Sequence, residues 1–182
     1  MLVNVAMIIT ISGQIGSGKS TLAKEIAKRF KLRYISAGEI MRKMAKEKGM
    51  SLIEFSKFAE LNSSVDREID ERQVELAKEG NCVVEGRISA YFLNSKLKIF
   101  LITPLNIRAR RVMERDKLKN IEEAIELIKK REDSERKRYR KIYGINFDDF
   151  ENYDIILNTE RFTKDELADI VSSIIKEVIK RK

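Results

Sequence analysis

A glycine-rich stretch near the start of the chain has the residue types and spacing of a phosphate-binding loop. The segment TISGQIGSGKST, residues 10–21, fits the pattern G-x-x-x-x-G-K-[ST]. In such a loop, backbone N–H groups point at the β-phosphate of a nucleoside triphosphate, the lysine bridges the β- and γ-phosphates, and the serine hydroxyl binds Mg²⁺. We therefore expect the triphosphate to be bound by Gly13, Gln14, Ile15, Gly16, Ser17, Gly18, Lys19, Ser20 and Thr21.

Polar and charged residues also follow the second and third apolar runs of the chain. The second run is followed by SAGEIMR, in which Ser36 and Gly38 come first and Arg42 lies one helical turn beyond Gly38. The third run ends in VVEGR, with Glu85 at the predicted strand end and Arg87 two residues later. A carboxylate there can orient water on Mg²⁺, and an arginine can bind a phosphate through two parallel hydrogen bonds.

A third group of charged residues lies in the stretch REDSERKRY, which begins at Arg131. Arg131, Glu135 and Arg138 are spaced i, i+4 and i+7, so they share one face of a helix. This face could belong to the binding site. It could also be a solvent-exposed surface with many salt bridges, because charges of alternating sign are common on exposed helices.

The order of apolar runs and helical patterns predicts the elements that position these residues. Strands alternate with helices, which favours parallel pairing through right-handed crossovers and a three-layer α/β domain. Ligands of such sheets bind at the carboxyl ends of the strands. The predicted strands cover residues 5–12, 33–35, 81–85, 97–103 and 154–158.

Helical patterns fill the segments between these strands. A helix over 19–30 follows the loop directly. Residues 37–80 are all helical in pattern and too many for a simple crossover, so we expect a small helical lobe over the sheet edge. A second helical excursion covers 120–143. Helix starts are indicated by the capping pairs Ser51 with Glu54, Asn120 with Glu123, and Thr163 with Glu166.

The composition excludes several kinds of chemistry. The chain of 182 residues has no histidine and one cysteine, which excludes zinc or haem sites built on those residues and histidine acid–base catalysis. We expect Cys82, in NCVVEG, to be a buried strand residue. The length favours one domain. No apolar run is long enough to cross a bilayer, and MLVNVAMIIT has no basic leader, so we expect a cytoplasmic protein.

The net charge of +8 has two possible explanations, a nucleic-acid surface or a cleft that holds several phosphates. No aromatic platform or recognised nucleic-acid motif accompanies the basic residues. Many of the charges instead alternate in sign along helical segments. We therefore favour the phosphate cleft, and we expect a monomer with neither a nucleic-acid nor a membrane partner.

The motifs SAGEIMR, VVEGR, LKIFLITPLNIRARR, REDSERKRY and DIILNTERF together resemble those of the cytidylate kinases, particularly the archaeal type, within the nucleoside-monophosphate kinase family. The likeness runs over nearly the whole chain. It implies an α/β, three-layer P-loop kinase fold with a five-stranded parallel sheet, a helical monophosphate-binding lobe at 37–80 and a helical lid at 120–145. It also implies Mg²⁺-assisted transfer of the γ-phosphoryl group of ATP to CMP or dCMP.

The same resemblance assigns roles to the charged residues outside the loop. Arg42 and Arg87 would bind the phosphate of the monophosphate, and Ser36 and Asp66 would lie near its base or ribose. Arg110 would lie against the adenine of ATP.

On the predicted lid, Arg131 and Arg138 would close over the transferring phosphoryl group. Glu135 would contact the cytosine side, and Arg136 is a possible additional contact. The expected metal ligands are Ser20 and Glu85. The expected catalytic residues are Lys19, Arg87, Arg131 and Arg138.

The chain departs from the bacterial cytidylate kinases around the acceptor. Its helical lobe is modest, Glu85 stands where an aspartate is common, and ISAY follows Arg87 where the bacterial pattern has another acid. These differences leave the residues that recognise the base open. A kinase for UMP or AMP and a regulatory, RNA-associated P-loop NTPase remain alternatives, and rates with CMP, dCMP, UMP and AMP would separate them.

Overall fold

Five parallel β-strands form the centre of the protein in a computed structural model, which describes residues 7–146 and 148–180. The strands are β1 (Ile8–Gly13), β2 (Arg33–Ser36), β3 (Cys82–Glu85), β4 (Leu97–Ile102) and β5 (Ile155–Asn158). They lie in the order β2-β3-β1-β4-β5, and each neighbouring pair is parallel. All strands therefore end at the same edge of the sheet, where the residues that follow them can meet.

Within the described residues, helices connect successive strands and cover both faces of the sheet. No helix in this part of the chain is long and apolar enough to cross a membrane. The helices are α1 (Lys19–Phe30), α2 (Ala37–Glu47), α3 (Leu52–Leu61), α4 (Ser63–Ala77), α5 (Ser89–Phe92), α6 (Leu105–Asp116), α7 (Ile121–Tyr143) and α8 (Lys164–Lys180).

The strand bounds follow the apolar runs closely. For β2 to β5, each end lies within one residue of the prediction. The first strand, predicted from residue 5, begins at Ile8, and residues 5 and 6 lie outside the described part of the chain. Near-continuous apolar runs mark these strands because both faces of a parallel sheet are covered.

Local capping explains where the helices begin. Ser51 and Glu54 form both hydrogen bonds of a capping box, with the Ser51 backbone N–H donating to Glu54 Oε2 at 2.8 Å. Asn120 accepts from the backbone N–H of Glu123 at 2.8 Å at the start of α7. The predicted pair before α8 makes the same reciprocal bonds, at 2.8 and 3.2 Å, between Thr163 and Glu166.

Helices bury both faces of the sheet and so form the predicted three layers. On one face, Ile9, Ile11 and Leu101 pack with side chains of α1 and α8. On the other, Cys82 and Val84 pack with side chains of α2, α3 and α4. The predicted fold class is confirmed, and Cys82 is a fully buried strand residue as expected.

Only glycine fits where β1 passes into the loop. Gly13 has a φ of +144°, and a Cβ there would overlap the carbonyl oxygen of Leu101 on β4. That same oxygen accepts from the backbone N–H of Gln14 at 3.1 Å, which fixes the start of the loop against the sheet. Gly49, after α2, also has a positive φ of +65°, but a Cβ there would meet no described atom within 4 Å.

Gly13→Ala should therefore cost far more stability than Gly49→Ala. The second change adds only left-handed backbone strain, about 1–2 kcal/mol. The first adds a collision with backbone that cannot move freely, for a total of roughly 3–5 kcal/mol. Urea unfolding of both variants measures the difference, and equal losses would show that β1 and β4 do not approach each other this closely.

Candidate functional site

A cleft of about 770 Å³ opens at the carboxyl edge of the sheet. Its walls come from the loop after β1, the residues after β2 and β3, and the helices α2, α4, α6 and α7. Most of the predicted site residues line it. They are Ile15, Gly16, Gly18, Lys19, Ser20, Thr21, Ser36, Arg42, Asp66, Glu85, Arg87, Arg131, Glu135 and Arg138.

The other predicted loop residues shape the loop from behind. The backbone N–H of Ser17 donates to the Gln14 carbonyl at 3.2 Å, and Gln14 Oε1 accepts from the Thr103 backbone at 2.9 Å. Ser17 is fully buried. Because α1 begins at Lys19, the residues of its first turn line the cleft, and the positive end of the helix faces any bound anion.

Lys19 is held in the cleft with little exposure to solvent. Its Nζ donates to the Gln14 carbonyl at 2.7 Å. Burial lowers the pKa of Lys19 well below its usual value, and the neighbouring Arg87 lowers it further, against the opposing effect of Glu85 and Glu135. A phosphate beside this amine would favour its charged form, so the site is electrostatically suited to an anion.

Two arginines of the cleft, Arg87 and Arg131, lie against the carboxylate of Glu135. Arg87 Nε donates to Glu135 Oε2 at 2.7 Å, and its Nη1 donates to the Gly13 carbonyl at 3.0 Å. The other oxygen of Glu135 lies 4.0 Å from Arg131 Nη2. Glu135 therefore lies between two guanidinium groups, next to the loop. Burial disfavours the charge on Arg87, but Glu135 and other nearby groups outweigh it and raise the pKa.

Arg138, further along α7, forms a second ion pair with Asp66 on α4. Arg138 Nε donates to Asp66 Oδ2 at 2.8 Å, and its Nη1 donates to Ser134 Oγ at 2.7 Å. Burial raises the pKa of Asp66, and Arg138 partly opposes this effect. The i, i+4, i+7 spacing on α7 thus brings Arg131, Glu135 and Arg138 to the cleft.

Ser36 and Glu85 meet at the ends of neighbouring strands. Ser36 Oγ donates to Glu85 Oε2 at 2.7 Å and accepts from the backbone N–H of Glu39 at 3.3 Å, so the same hydroxyl caps α2. Tyr34 donates to the same carboxylate oxygen at 3.2 Å. Arg42 reaches back along the helix, and a Cβ at Gly38 would lie 3.6 Å from its Nη1.

The oxygen atoms of Ser20 and Glu85 suit Mg²⁺, although the protein alone does not form a cage. Both residues line the cleft. Within the described residues, no group of three or more acidic, cysteine or histidine side chains could hold a metal. Mg²⁺ commonly binds one or two protein oxygens together with water and substrate phosphates, so this small donor set fits it.

Arg110 does not reach the cleft, contrary to the expectation from the resemblance. Its side chain is exposed, because α6 turns Arg108, Ala109 and Val112 towards the core. The next residue, Arg111, lines the cleft instead and donates from Nη1 to the Gly16 carbonyl at 3.3 Å. Adjacent residues on a helix point about 100° apart, so a displacement of one position decides which arginine faces the ligand.

Arg136 also lies outside the set of residues that line the cleft. Its guanidinium pairs with Asp148, with Nε donating to Oδ2 at 3.0 Å, and with Asp133 one turn earlier on α7. The side chain of Asp148 is exposed. In this structure Arg136 is a surface salt-bridge residue, while its neighbours at 135 and 138 face the ligand site.

A buried ion pair that sequence reasoning missed anchors the loop. Arg108 and Glu132 are 5% and 6% exposed, and Arg108 Nη1 donates to Glu132 Oε1 at 2.7 Å. The same oxygen accepts from the backbone N–H of Ile15 at 3.2 Å, and Arg108 Nη1 donates to the Ile15 carbonyl at 3.2 Å. The pair thus joins the loop, α6 and α7. Its one sequence signal is that each charge shares a helix face with apolar residues, such as Val112 and Ile128.

The parallel sheet, the glycine loop and the cluster of cations at the strand ends define the chain as a P-loop kinase. Solved structures with this fold agree in shape. The shikimate kinase from Acinetobacter baumannii, in complex with shikimate, has a TM-score of 0.64 over 98% of this chain and 97% of that chain, at 19% identity. The shikimate kinase from Bacteroides thetaiotaomicron has a TM-score of 0.61 over 93% and 98%, at 16% identity. Identities this low support the fold alone.

Similarity in sequence identifies the family of the chain, which the structural similarity does not. A family model described as the cytidylate kinase-like family matches residues 8–161, and the chain belongs to this family. A cytidylate kinase from Pyrococcus horikoshii is 48% identical over 93% of this chain and 88% of its own. One from Methanocaldococcus jannaschii is 46% identical over 96% and 100%. The family predicted from the motifs is confirmed.

Glu132→Gln should destabilise the protein by roughly 3–5 kcal/mol, because it leaves Arg108 buried without a counter-charge. Glu177→Gln is the matched control, since Glu177 pairs with Lys180 on the exposed surface and such pairs contribute at most about 1 kcal/mol. The free energy of unfolding of both variants, measured in urea, checks this. A loss below that of the control would mean that the pair does not anchor the loop.

Proposed function

We propose that the protein transfers the γ-phosphoryl group of ATP to CMP or dCMP, giving ADP and the nucleoside diphosphate. One observation carries the proposal. Lys19, Arg87 and Arg131 surround a single cleft beside the phosphate-binding loop, in a chain that belongs to the cytidylate kinase-like family. Such a cleft would bind two phosphate-bearing ligands end to end, and the relatives named cytidylate kinase suggest which acceptor it takes.

The donor would occupy the loop side of the cleft. Backbone N–H groups of the loop and the start of α1 would bind the β-phosphate, and Lys19 would reach the β- and γ-phosphates. Arg111 replaces Arg110 as the candidate for the nucleoside end of ATP. It lines the cleft and its Nη1 donates to Thr159 Oγ1 at 3.1 Å, so it is fixed beside the loop.

The acceptor would occupy the opposite side, with its phosphate on Arg42 and Arg87. Arg87 already has a carboxylate partner in Glu135, so substrate binding would exchange this ion pair for contacts to phosphate. The exchange is favourable because phosphate oxygens are charged and are spaced to accept two parallel hydrogen bonds from one guanidinium group. In the same way, Arg138 would give up its ion pair with Asp66 and contact the transferring phosphoryl group.

The chemistry needs alignment and charge compensation more than a catalytic base. A nucleoside monophosphate presents an oxygen that is already largely ionised near neutral pH, so no side chain must remove its proton. Phosphoryl transfer through a loose transition state spreads negative charge over the transferring group. Lys19, Arg131 and Arg138 would stabilise this charge in a cleft from which water is displaced.

Ser20 and Glu85 would hold Mg²⁺ directly or through water. When bound, the ion supplies positive charge to the phosphate oxygens and fixes their orientation. Glu85 is kept in place for this task by hydrogen bonds from Ser36 and Tyr34.

The choice of acceptor is tested by steady-state rates with CMP, dCMP, UMP and AMP at saturating ATP. We expect kcat/KM to be highest with CMP or dCMP. Higher rates with UMP or AMP would assign the chain to another monophosphate, and ATP hydrolysis that is independent of all four would contradict a kinase function.

Lys19→Ala should lower kcat/KM for CMP by at least about 100-fold, since it removes a charge that contacts the transferring group. The fold should remain, because Lys19 makes its one described hydrogen bond to the loop itself. Lys28→Ala is the control. Lys28 lies on the same helix, exposed and outside the cleft, and its loss should leave the rate unchanged. A Lys19→Ala enzyme with near-normal turnover would contradict the assigned role.

A further inference from the structure

Asp70 is an acidic residue of the cleft wall that has no role in the proposed phosphoryl transfer. It lies on α4, one helical turn after Asp66, and both residues line the cleft. Tyr143 donates its hydroxyl to Asp70 Oδ2 at 2.8 Å, and Gln73 Nε2 donates to Oδ1 at 3.0 Å. Both of these partners are neutral. Asp66, in contrast, is neutralised by Arg138.

The carboxyl group of Asp70 is costly to ionise where it lies. Burial raises its pKa to about 7, and the charge of Asp66 adds to this effect, while the bonds from Tyr143 and Gln73 oppose it. No lysine or arginine among the described residues forms an ion pair with it. Such a group in a binding cleft is typical of a functional position, because a ligand can supply the missing donors.

Asp70 has hydrogen-bonding capacity to spare. An ionised carboxylate offers about four lone-pair positions, two on each oxygen. The bonds from Tyr143 and Gln73 use one position on each oxygen. These two bonds also restrict the rotation of the carboxylate, so its remaining positions are set before any ligand arrives.

The contacts of Gln73 locate Asp70 on the acceptor side of the cleft. Gln73 is buried, and its Oε1 accepts from Ser89 Oγ at 2.7 Å. A Cβ at Gly86 would lie 3.0 Å from the same oxygen. Gly86 immediately precedes Arg87, the residue assigned to the acceptor phosphate. Asp70 is thus one hydrogen bond away from the end of β3, on the helical lobe rather than on the loop.

We propose that Asp70 binds the amino group at position 4 of the acceptor's pyrimidine ring and so favours cytosine over uracil. A carboxylate accepts well from the cytosine amino group. Uracil has a carbonyl oxygen at the same position, and two acceptors facing each other leave both without a partner. This inference rests on the proposed transfer of phosphate to CMP, and it assigns the choice of base to α4.

The test compares kcat/KM for CMP and for UMP in Asp70→Asn, with ATP held at saturation. The amide can donate to the uracil carbonyl, so we expect the ratio of CMP to UMP to fall by about 10- to 100-fold, mostly through KM. Glu71→Gln is the control, since Glu71 is the next residue on α4, exposed and outside the cleft, and it should leave the ratio unchanged.

Rates of the variants test the role of Asp70, and rates of the wild-type enzyme test the proposed function itself. Equal losses with CMP and UMP, or no loss with either, would overturn the role of Asp70 in base selection. If Asp70→Asn fails to fold, as judged by thermal unfolding, Asp70→Ser also removes the carboxylate and must show the same fall in the ratio. A wild-type enzyme that phosphorylates neither CMP nor UMP would contradict the proposed function itself, before any variant is compared.

Discussion

Mutual repulsion of the cations in the cleft is the constraint around which the site is organised. Burial lowers the pKa of Lys19 and of Arg131 on α7, and Arg87 lies close enough to both to disfavour the charge of each, which lowers the pKa of both groups further. Glu135 lies between the two arginines and compensates part of this charge. Unlike charges attract strongly where little water separates them, so the arrangement favours the arrival of phosphates.

Such a cluster is useful only if its members are fixed relative to one another. The sheet fixes the loop through Gly13, whose backbone passes so close to Leu101 that no side chain fits. The Arg108–Glu132 pair fixes the same loop to α6 and α7. Because Glu132 is adjacent to Arg131, anchoring the loop also sets where that arginine enters the cleft. In the first half of α7, Ala124 and Ile128 pack against Ala109 and Val112 of α6.

Most of the fold and part of the site could be predicted from the sequence because their causes are local. The loop depends on glycines at fixed spacing, the strands on continuous apolar runs, and the α7 face on a helical repeat. The Arg108–Glu132 pair, the position of Arg111 rather than Arg110 at the cleft, and the contacts of Asp70 with Tyr143 and Gln73 could not be predicted. Each depends on which way a helix is rotated in its packing, or on contacts between residues far apart in the chain. Sequence periodicity determines such a rotation only to within about one residue.

A crystal structure with CMP and a non-hydrolysable ATP analogue would show whether the arginines of the cleft move from carboxylates to phosphates. We expect guanidinium nitrogens of Arg87, Arg131 and Arg138 to lie about 2.7–2.9 Å from phosphate oxygens. We also expect that Glu135 and Asp66 no longer pair with Arg87 and Arg138 as they do without ligands. A structure with both nucleotides bound and these arginines still paired with their carboxylates would contradict this exchange of partners.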